Sequence, residues 1–584
     1  MWLEALLILY RIKKYLVQIK GRSIPGVVAV LLIAIHGISI ITLRAEDIYI
    51  SQVHGHGFSF KHGTADAPYV VRSMQQLEKI VEKVPNGSTL RFAKGVYPIG
   101  GLKVTNESLT FQGSGDETIL FSNKIGQNAI RFSGSGNSLC LKNLQMAYSG
   151  GWGDASGITV GVLVVPDALQ GKESMDSIIL DHVTFRDFNN AIYVTAPVRS
   201  LRVEGCSFLY TYGRAGVSNK APFQHPAVAV LGSATEQTIV RDCYFDGLLD
   251  PSFRGVKGNP PQSQRTPMDG FYKSGGGNPK LTIVEHNIVK NHGIEGIICE
   301  RINFGGKYVT RIMGNKIIGP GYKERSFYGN YCPAIAVLNT QGAEITKNMI
   351  LGSPLGVDLT FSSWSVSNAC TISNNSFSNV LCGARITSGG SKTIFSNNRV
   401  FCSSEPAKSV ASLEIAWCGL VGVMASGTPI ISSNSFQALE PSWDAKTVIT
   451  SRRENTFVLS TTQGIFPNQG VLIARSSKGL AYFPVRQVSG KEVTVAPEWS
   501  ASIPQMRSGE LVYARSLGNF TSLGAVCSFG STSKVLVEGN RISGFLQDVA
   551  SSNGGKVIAM ENQVQKVLVT QPQSQDISRP VGTQ

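Results

Sequence analysis

The chain has 584 residues, of which only 16% are charged, with 62 glycines and a formal net charge of +15. That length exceeds what one compact core needs, so it calls for several domains or one elongated repeat architecture. The many Val, Ile, Ser and Asn residues beside glycine argue against long helices and for short strands joined by tight turns.

Residues 1–45 differ from the rest. Arg11, Lys13, Lys14, Lys20 and Arg22 precede a mostly apolar run from Val27 to Leu43 that ends near Ala45. The order reads as an export signal. A retained anchor is the other reading, because the run nearly spans a bilayer. Removing this segment takes six basic residues and one acid from 54 and 39, and the remainder keeps a net charge of +10. A basic surface outside the cytoplasm suits anionic polymers such as uronate or sulfated glycans rather than nucleic acid. The expected location is secreted, periplasmic or cell-envelope, with membrane contact only through the N-terminal segment if it is not cleaved; the oligomeric state is left open.

Residues 46–100 read as an N-terminal cap. Ser73-Met74-Gln75-Gln76 has the form of a capping box, and Met74, Leu77, Val81 and Val84 line one face of a short helix ended by Pro85-Asn86-Gly87. Such a helix would plug the open end of a solenoid core.

From 101 to 436 a short pattern recurs: an apolar residue, two spacers, Asn or Cys, one spacer, another apolar residue. Clear copies are Val203-Cys206-Phe208, Val240-Cys243-Phe245, Ile312-Asn315-Ile317, Ile345-Asn348-Ile350, Ile372-Asn375-Phe377, Phe395-Asn398-Val400 and Ile431-Asn434-Phe436. Leu180-Val183-Phe185 and Val284-Asn287-Val289 are weaker copies, and Val537-Asn540-Ile542 falls in a final stretch, 533–570. Where no loop intervenes, as from Ile345 to Ile372 to Phe395, the spacing is that of one solenoid coil. Asn at the same bend of each coil can stack and bond its neighbour's amide. Ten cysteines without a C-x-x-C pair give no disulfide framework and no cysteine metal site. Cys206 and Cys243 read as buried thiols of the same ladder. Between the last two groups of coils, 437–532 carries alternating strands such as Val471-Leu472-Ile473-Ala474 and Glu492-Val493-Thr494-Val495, an inserted small β-domain. Residues 571–584 form a polar, loose tail.

The stretch Gly63-Thr64-Ala65-Asp66-Ala67-Pro68-Tyr69, the helix, and Asn86-Gly87-Ser88-Thr89 leading to Gly95-Val96-Tyr97 resemble the pectate-lyase-like superfamily. The likeness covers roughly 60–570. It implies an all-β, right-handed parallel β-helix with an N-terminal capping helix and the inserted β-domain, a scaffold that serves lyases, hydrolases, epimerases and adhesins alike. The chain departs from the enzymes of that group: Gly55-His56-Gly57 precedes the first coil, and neither a paired Asp-Asp nor an Asp-Pro-His occurs at a matching place.

A second strand follows each Asn bend, and its outward residues should form one column with coils about 4.8 Å apart. The repeat spacing places Tyr193, Ala229, Tyr272, Glu295, Ala336, Asp358, Arg385 and Gly422 in it. Loops 209–226, 246–280 and 318–333 flank the column with nine Lys or Arg against four acids, and with ten aromatics that include Tyr212, Tyr272 and Tyr322. Cations beside aromatic platforms suit a charged glycan. Arg301, Arg325 and Arg385 join these tyrosines as binding candidates. Glu295 and Asp358, two coils apart, would sit at about 9.6 Å, near the spacing of an inverting carboxyl pair, about 6.5–9.5 Å. Asp269, Glu300 and His292 are their expected neighbours. Elimination would instead use Lys273, His292 or Arg301 as base, with carboxylates or Ca²⁺ neutralising the uronate. No metal site is expected otherwise, and no cofactor for a hydrolase. The expected function is cleavage of an anionic polysaccharide, hydrolase ahead of lyase; the alternative is a non-catalytic glycan-binding or surface-structural β-helix.

Overall fold

The computed structural model describes residues 47–51 and 69–565, with breaks of which the longer are 149–159, 166–173, 215–226, 248–264, 301–308, 321–332, 361–369, 404–420, 496–508 and 516–523. The export or anchor segment, Gly55-His56-Gly57 and the tail lie outside the described residues. No helix among the described residues is long and apolar enough to cross a membrane.

The protein is an all-β, right-handed parallel β-helix. One coil shows how the sequence builds it. Leu281–Glu285 runs to a bend at His286-Asn287, Ile288–His292 follows, a second bend comes at Glu295-Gly296, and Ile297–Glu300 completes the turn. The first two strands of each coil belong to one 28-stranded parallel sheet, and the third strands build a second sheet of 13. Alternate residues point inward, so Val284, Val289, Ile297 and Cys299 are buried in one core that runs the length of the solenoid.

The first bend is held by a polar ladder inside that core. Asn287, Asn315, Asn348, Asn375, Asn398, Asn434, Asn540 and Asn562 stack coil upon coil, each donating Nδ2 to the next Oδ1 at 2.9–3.1 Å. The same Oδ1 accepts a backbone N–H, as Asn375 does from Asn348 at 2.9 Å, and the second Nδ2 proton goes to a carbonyl such as Ile345 O. Every polar atom of the buried amide is therefore used, which is why Asn tolerates full burial there. Cys243 closes the series, its N–H donating to Asn287 Oδ1, and Cys206 lies one coil earlier. The residue before each ladder position is left-handed. Glycine or asparagine fits that conformation freely at Gly314, Asn374 and Asn397, whereas Lys347 and Ser433 are held in it by the bonds on either side.

The second bend demands small residues. Gly270, Gly296, Ala334, Gly356, Gly383, Gly422 and Ala525 follow one another there, because a β-carbon on Gly356 would lie 2.4 Å from the Phe377 ring and 2.3 Å from the Gly383 carbonyl oxygen. The N-terminal end is closed by the helix Met74–Val81, which buries Leu77, Ile80 and Val81; its capping box is complete, with Ser73 Oγ accepting from Gln76 N and Gln76 Oε1 from Ser73 N. Between the coils of Ser435–Ala438 and Gly524–Phe529 a small β-domain is inserted. Its six strands between Ala445 and Arg515 close into an antiparallel barrel with its own core, built on Phe457, Leu472, Phe483 and Tyr513.

Candidate functional site

The third strands of successive coils place their outward residues in register. Tyr272 lies level with Ile298, then Ala336, Asp358, Arg385 and Met424; two positions on, Ser274 is followed by Glu300, Leu338, Thr360, Thr387 and Ser426. Toward the N-terminus the first column continues through Ala229, Tyr193 and Leu163 to exposed Arg131 and Lys103. Ile298, Ala336 and Asp358 are only 1–3% exposed although they lie on the outer face, so this middle stretch is shut off from solvent.

Within that stretch Asp358 is the chemical centre. Arg385, one coil on, forks its carboxylate, with Nε at 2.9 Å from Oδ1 and Nη2 at 2.6 Å from Oδ2, and the Thr360 hydroxyl donates to Oδ1 at 2.8 Å. Burial pushes the Asp358 carboxyl up to about 7, and the Thr360 hydroxyl works against that. The guanidinium fork adds a second pull toward the ionised form, since a bidentate arginine favours a carboxylate over a carboxylic acid. Toward the N-terminus, the Tyr272 hydroxyl donates to Glu300 Oε2 at 2.9 Å. The described outer face thus presents two carboxyls, one half-buried and oriented by a tyrosine, the other deeply buried and forked by an arginine.

Several expected site residues stand elsewhere. Glu295 is not in the column, where Ile298 takes its place; Glu295 lies before the glycine bend, level with Pro333 and Leu355. Offset from Asp358 by two coils and three positions, its backbone is about 14 Å away, so the expected carboxyl pair is not formed in that register. Gly422 is likewise the bend residue, and Met424 holds the outward position. A small residue beside an apolar one marks the bend as well as it marks the strand, which is how the shift arises.

Lys273 and His292 are corrected more strongly, because both point into the core. Lys273 is 1% exposed and donates to the Thr238 and Thr282 hydroxyls at 2.7 and 3.0 Å. Burial pulls its amine down to about 7, with the nearby Cys299 pulling weakly the other way. His292 is fully buried, its Nε2 lies 3.5 Å from Ser353 Oγ, and burial lowers it to about 4. Neither can meet a polymer on the outer face. Asp269, Arg301, Tyr322 and Arg325 lie outside the described residues. The backbone of Tyr212 belongs to a ribbon, Tyr212–Arg214 paired antiparallel with Arg265–Pro267. Sequence reasoning missed Thr360, although a hydroxyl two residues after an outward Asp is a signal for a same-face partner. It also missed Thr238 and Thr282, which only the coil register brings to Lys273. Among the described residues no three His, Cys, Asp or Glu side chains gather as a metal ion would need.

No family model matches the chain, and no curated protein matches it. Among solved structures it is similar to the GH136 lacto-N-biosidase of Eubacterium ramulus, at 11% identity over 89% of this chain and 68% of that one, with a TM-score of 0.35. Tailspike protein 3 of bacteriophage CBA120 matches at 11% identity over 88% of this chain and 62% of that one, TM-score 0.37. A periplasmic alginate epimerase double mutant matches at 7% over 85% and 84%, TM-score 0.30. With its coils, amide ladder and capping helix, the chain is in fold a right-handed parallel β-helix.

Proposed function

We propose that the protein is an extracytoplasmic carbohydrate-active enzyme that binds an anionic polysaccharide along the outer column and hydrolyses it, with Glu300 and Asp358 as the working carboxyls, Asp358, only 3% exposed in this structure, being uncovered when the polymer binds. The observation that carries this reading is the presence of both carboxyls on one face of one sheet, each already oriented by a named partner. Two coils and two positions separate them, about 12 Å at the backbone. That suits the wide carboxyl spacing of inverting glycosidases, about 6.5–9.5 Å, better than the retaining spacing of about 5 Å. For elimination, two of the three candidate bases, Lys273 and His292, face the core, which leaves Arg301, outside the described residues. Lys103 and Arg131, exposed at the N-terminal end of the column, and the aromatic faces of Tyr193 and Tyr272 supply cations and platforms for an anionic chain lying along the solenoid.

A panel of neutral and anionic glycans, assayed for new reducing ends and for unsaturated products with and without Ca²⁺, tests the reading. Asp358→Asn and Glu300→Gln should each lower turnover by about 10²–10⁴-fold while leaving glycan binding nearly intact. Unsaturated products would move the chemistry to elimination. A non-catalytic glycan-binding protein is the second reading, favoured by the full engagement of the Asp358 oxygens by Arg385 and Thr360. Salt-sensitive binding to anionic glycans without any cleavage would establish it, since exposed ion contacts are screened beyond about 8–10 Å.

A further inference from the structure

The amide ladder changes character at its N-terminal end. Where later coils carry asparagine, two successive coils carry Cys206 and Cys243, which are 1% and 2% exposed. They are in register, because Glu204 lies level with Arg241 and Ser207 with Tyr244 on either side of them. Their thiols are held alike: Cys206 Sγ donates toward Leu180 O and Glu204 O at 3.5 and 3.3 Å, and Cys243 Sγ toward Val203 O and Arg241 O at 3.4 and 3.1 Å. Leu180 and Val203 are themselves register partners, so the two sulfurs occupy equivalent places one coil apart.

We propose that Cys206 and Cys243 are a latent disulfide that staples two coils of the solenoid. In-register strands put their Cα atoms about 4.8 Å apart, inside the range of about 4.4–6.8 Å that a disulfide spans. The bond would close the segment 207–242, which includes the ribbon strand Tyr212–Arg214 and the third strand Val228–Val230. The proposal stands apart from the glycan reading.

The reaction is thiol–disulfide exchange with a small oxidised disulfide such as oxidised glutathione. One cysteine thiolate attacks the small disulfide, whose S–S bond breaks to release one thiol. The second cysteine then displaces the other half, so the protein loses two electrons and two protons and two small thiols are formed. Burial of both sulfurs makes exchange slow in the closed state, so the reaction is expected to run through local openings of the coil or during folding.

The test treats the full chain with oxidised glutathione at a temperature just below its melting point, alkylates it in denaturant, and maps peptides by mass. A cross-linked peptide pair containing Cys206 and Cys243 is expected, together with a melting temperature several degrees above the reduced protein. Cys206→Ser and Cys243→Ser should each abolish both changes. Serine keeps a donor for the same carbonyls, and the reduced wild type is the reference if a variant folds poorly. Recovery of both cysteines as alkylated thiols, or their capture as glutathione adducts or in bonds to other cysteines, would overturn the proposal. So would a cross-link that leaves the melting temperature unchanged.

Discussion

Asp358 and Lys273 are both buried on strands of the same sheet, three coils apart, yet their surroundings treat charge in opposite ways. Asp358 lies on the outer face, where Arg385 supplies a two-pronged counter-charge and Thr360 a further donor. Lys273 lies on the inner face and has only hydroxyl partners, Thr238 and Thr282, so burial pulls its amine toward the neutral form. Facing decides the outcome. Burial pushes both groups toward the neutral form, Asp358 up to about 7 and Lys273 down to about 7, but only the outward one has a full counter-charge one coil away to oppose it.

The largest expected effect comes from breaking the partnered side. Arg385→Met leaves a buried carboxylate without its counter-charge and should destabilise the protein by about 3–5 kcal/mol at mildly alkaline pH. The sign of its pH dependence is distinctive. In the wild type the Asp358 carboxyl titrates at 3.8 in the unfolded chain and at about 7 in the folded one, so the folded state binds more protons and stability falls as pH rises through that window; without the fork the folded carboxyl moves further up and the fall steepens. Chemical denaturation at several pH values measures this, and a flat profile for the variant would mean that Asp358 is not desolvated as described.

Lys273→Met sharpens the comparison from the other side. In the wild type the folded amine titrates near 7 and the unfolded one at 10.5, so the unfolded state binds more protons between them and stability rises with pH across that interval. Methionine should remove the slope and raise stability at pH 7 by about 2 kcal/mol, because an apolar chain of similar length no longer has to give up a proton to be buried. A variant less stable than wild type at pH 7 would show that the threonine contacts outweigh desolvation.

The ladder offers a third way to bury polarity, by complete pairing without charge. Asn375→Leu removes the acceptor used by Asn348 and the donor used for Ile345 O. It should cost about 1–3 kcal/mol with no pH dependence between 5 and 9; a thermal or urea midpoint within error of wild type would contradict the ladder's role. The smallest effect is expected at His292→Leu. Wild-type stability should fall as pH drops from 6.5 toward 4, because the unfolded histidine takes up a proton that the buried ring refuses. The variant should lack that acid limb and stay within about 1 kcal/mol of wild type at pH 8, where both forms are neutral.

Much of this was legible in the sequence. The Asn and Cys positions separate cleanly by spacing because each coil places one small side chain able to donate to a buried carbonyl, an amide or a thiol, at the same bend, and the capping box at Ser73 and Gln76 is a local pattern whose bonds close within one turn. The outward column was legible only where no glycine bend confused its register: Tyr193, Ala229, Tyr272, Ala336, Asp358 and Arg385 stand in it, and Glu295 and Gly422 do not. At Ile294-Glu295-Gly296 and Val421-Gly422-Val423 the small residue belongs to the bend, and alternation alone cannot tell a bend glycine from an outward one.

By itself the sequence determined the solenoid, since periodic apolar residues, ladder asparagines and bend glycines act through contacts between equivalent positions of adjacent coils. Only the tertiary structure decided which titratable groups face outward and who their partners are. Lys273 meets Thr238 and Thr282, and Asp358 meets Arg385, across coils separated by loops of unequal length. A shift of one residue in a strand moves a side chain from the surface to the core. Pairing across coils therefore depends on a register that the chain acquires only when the coils stack.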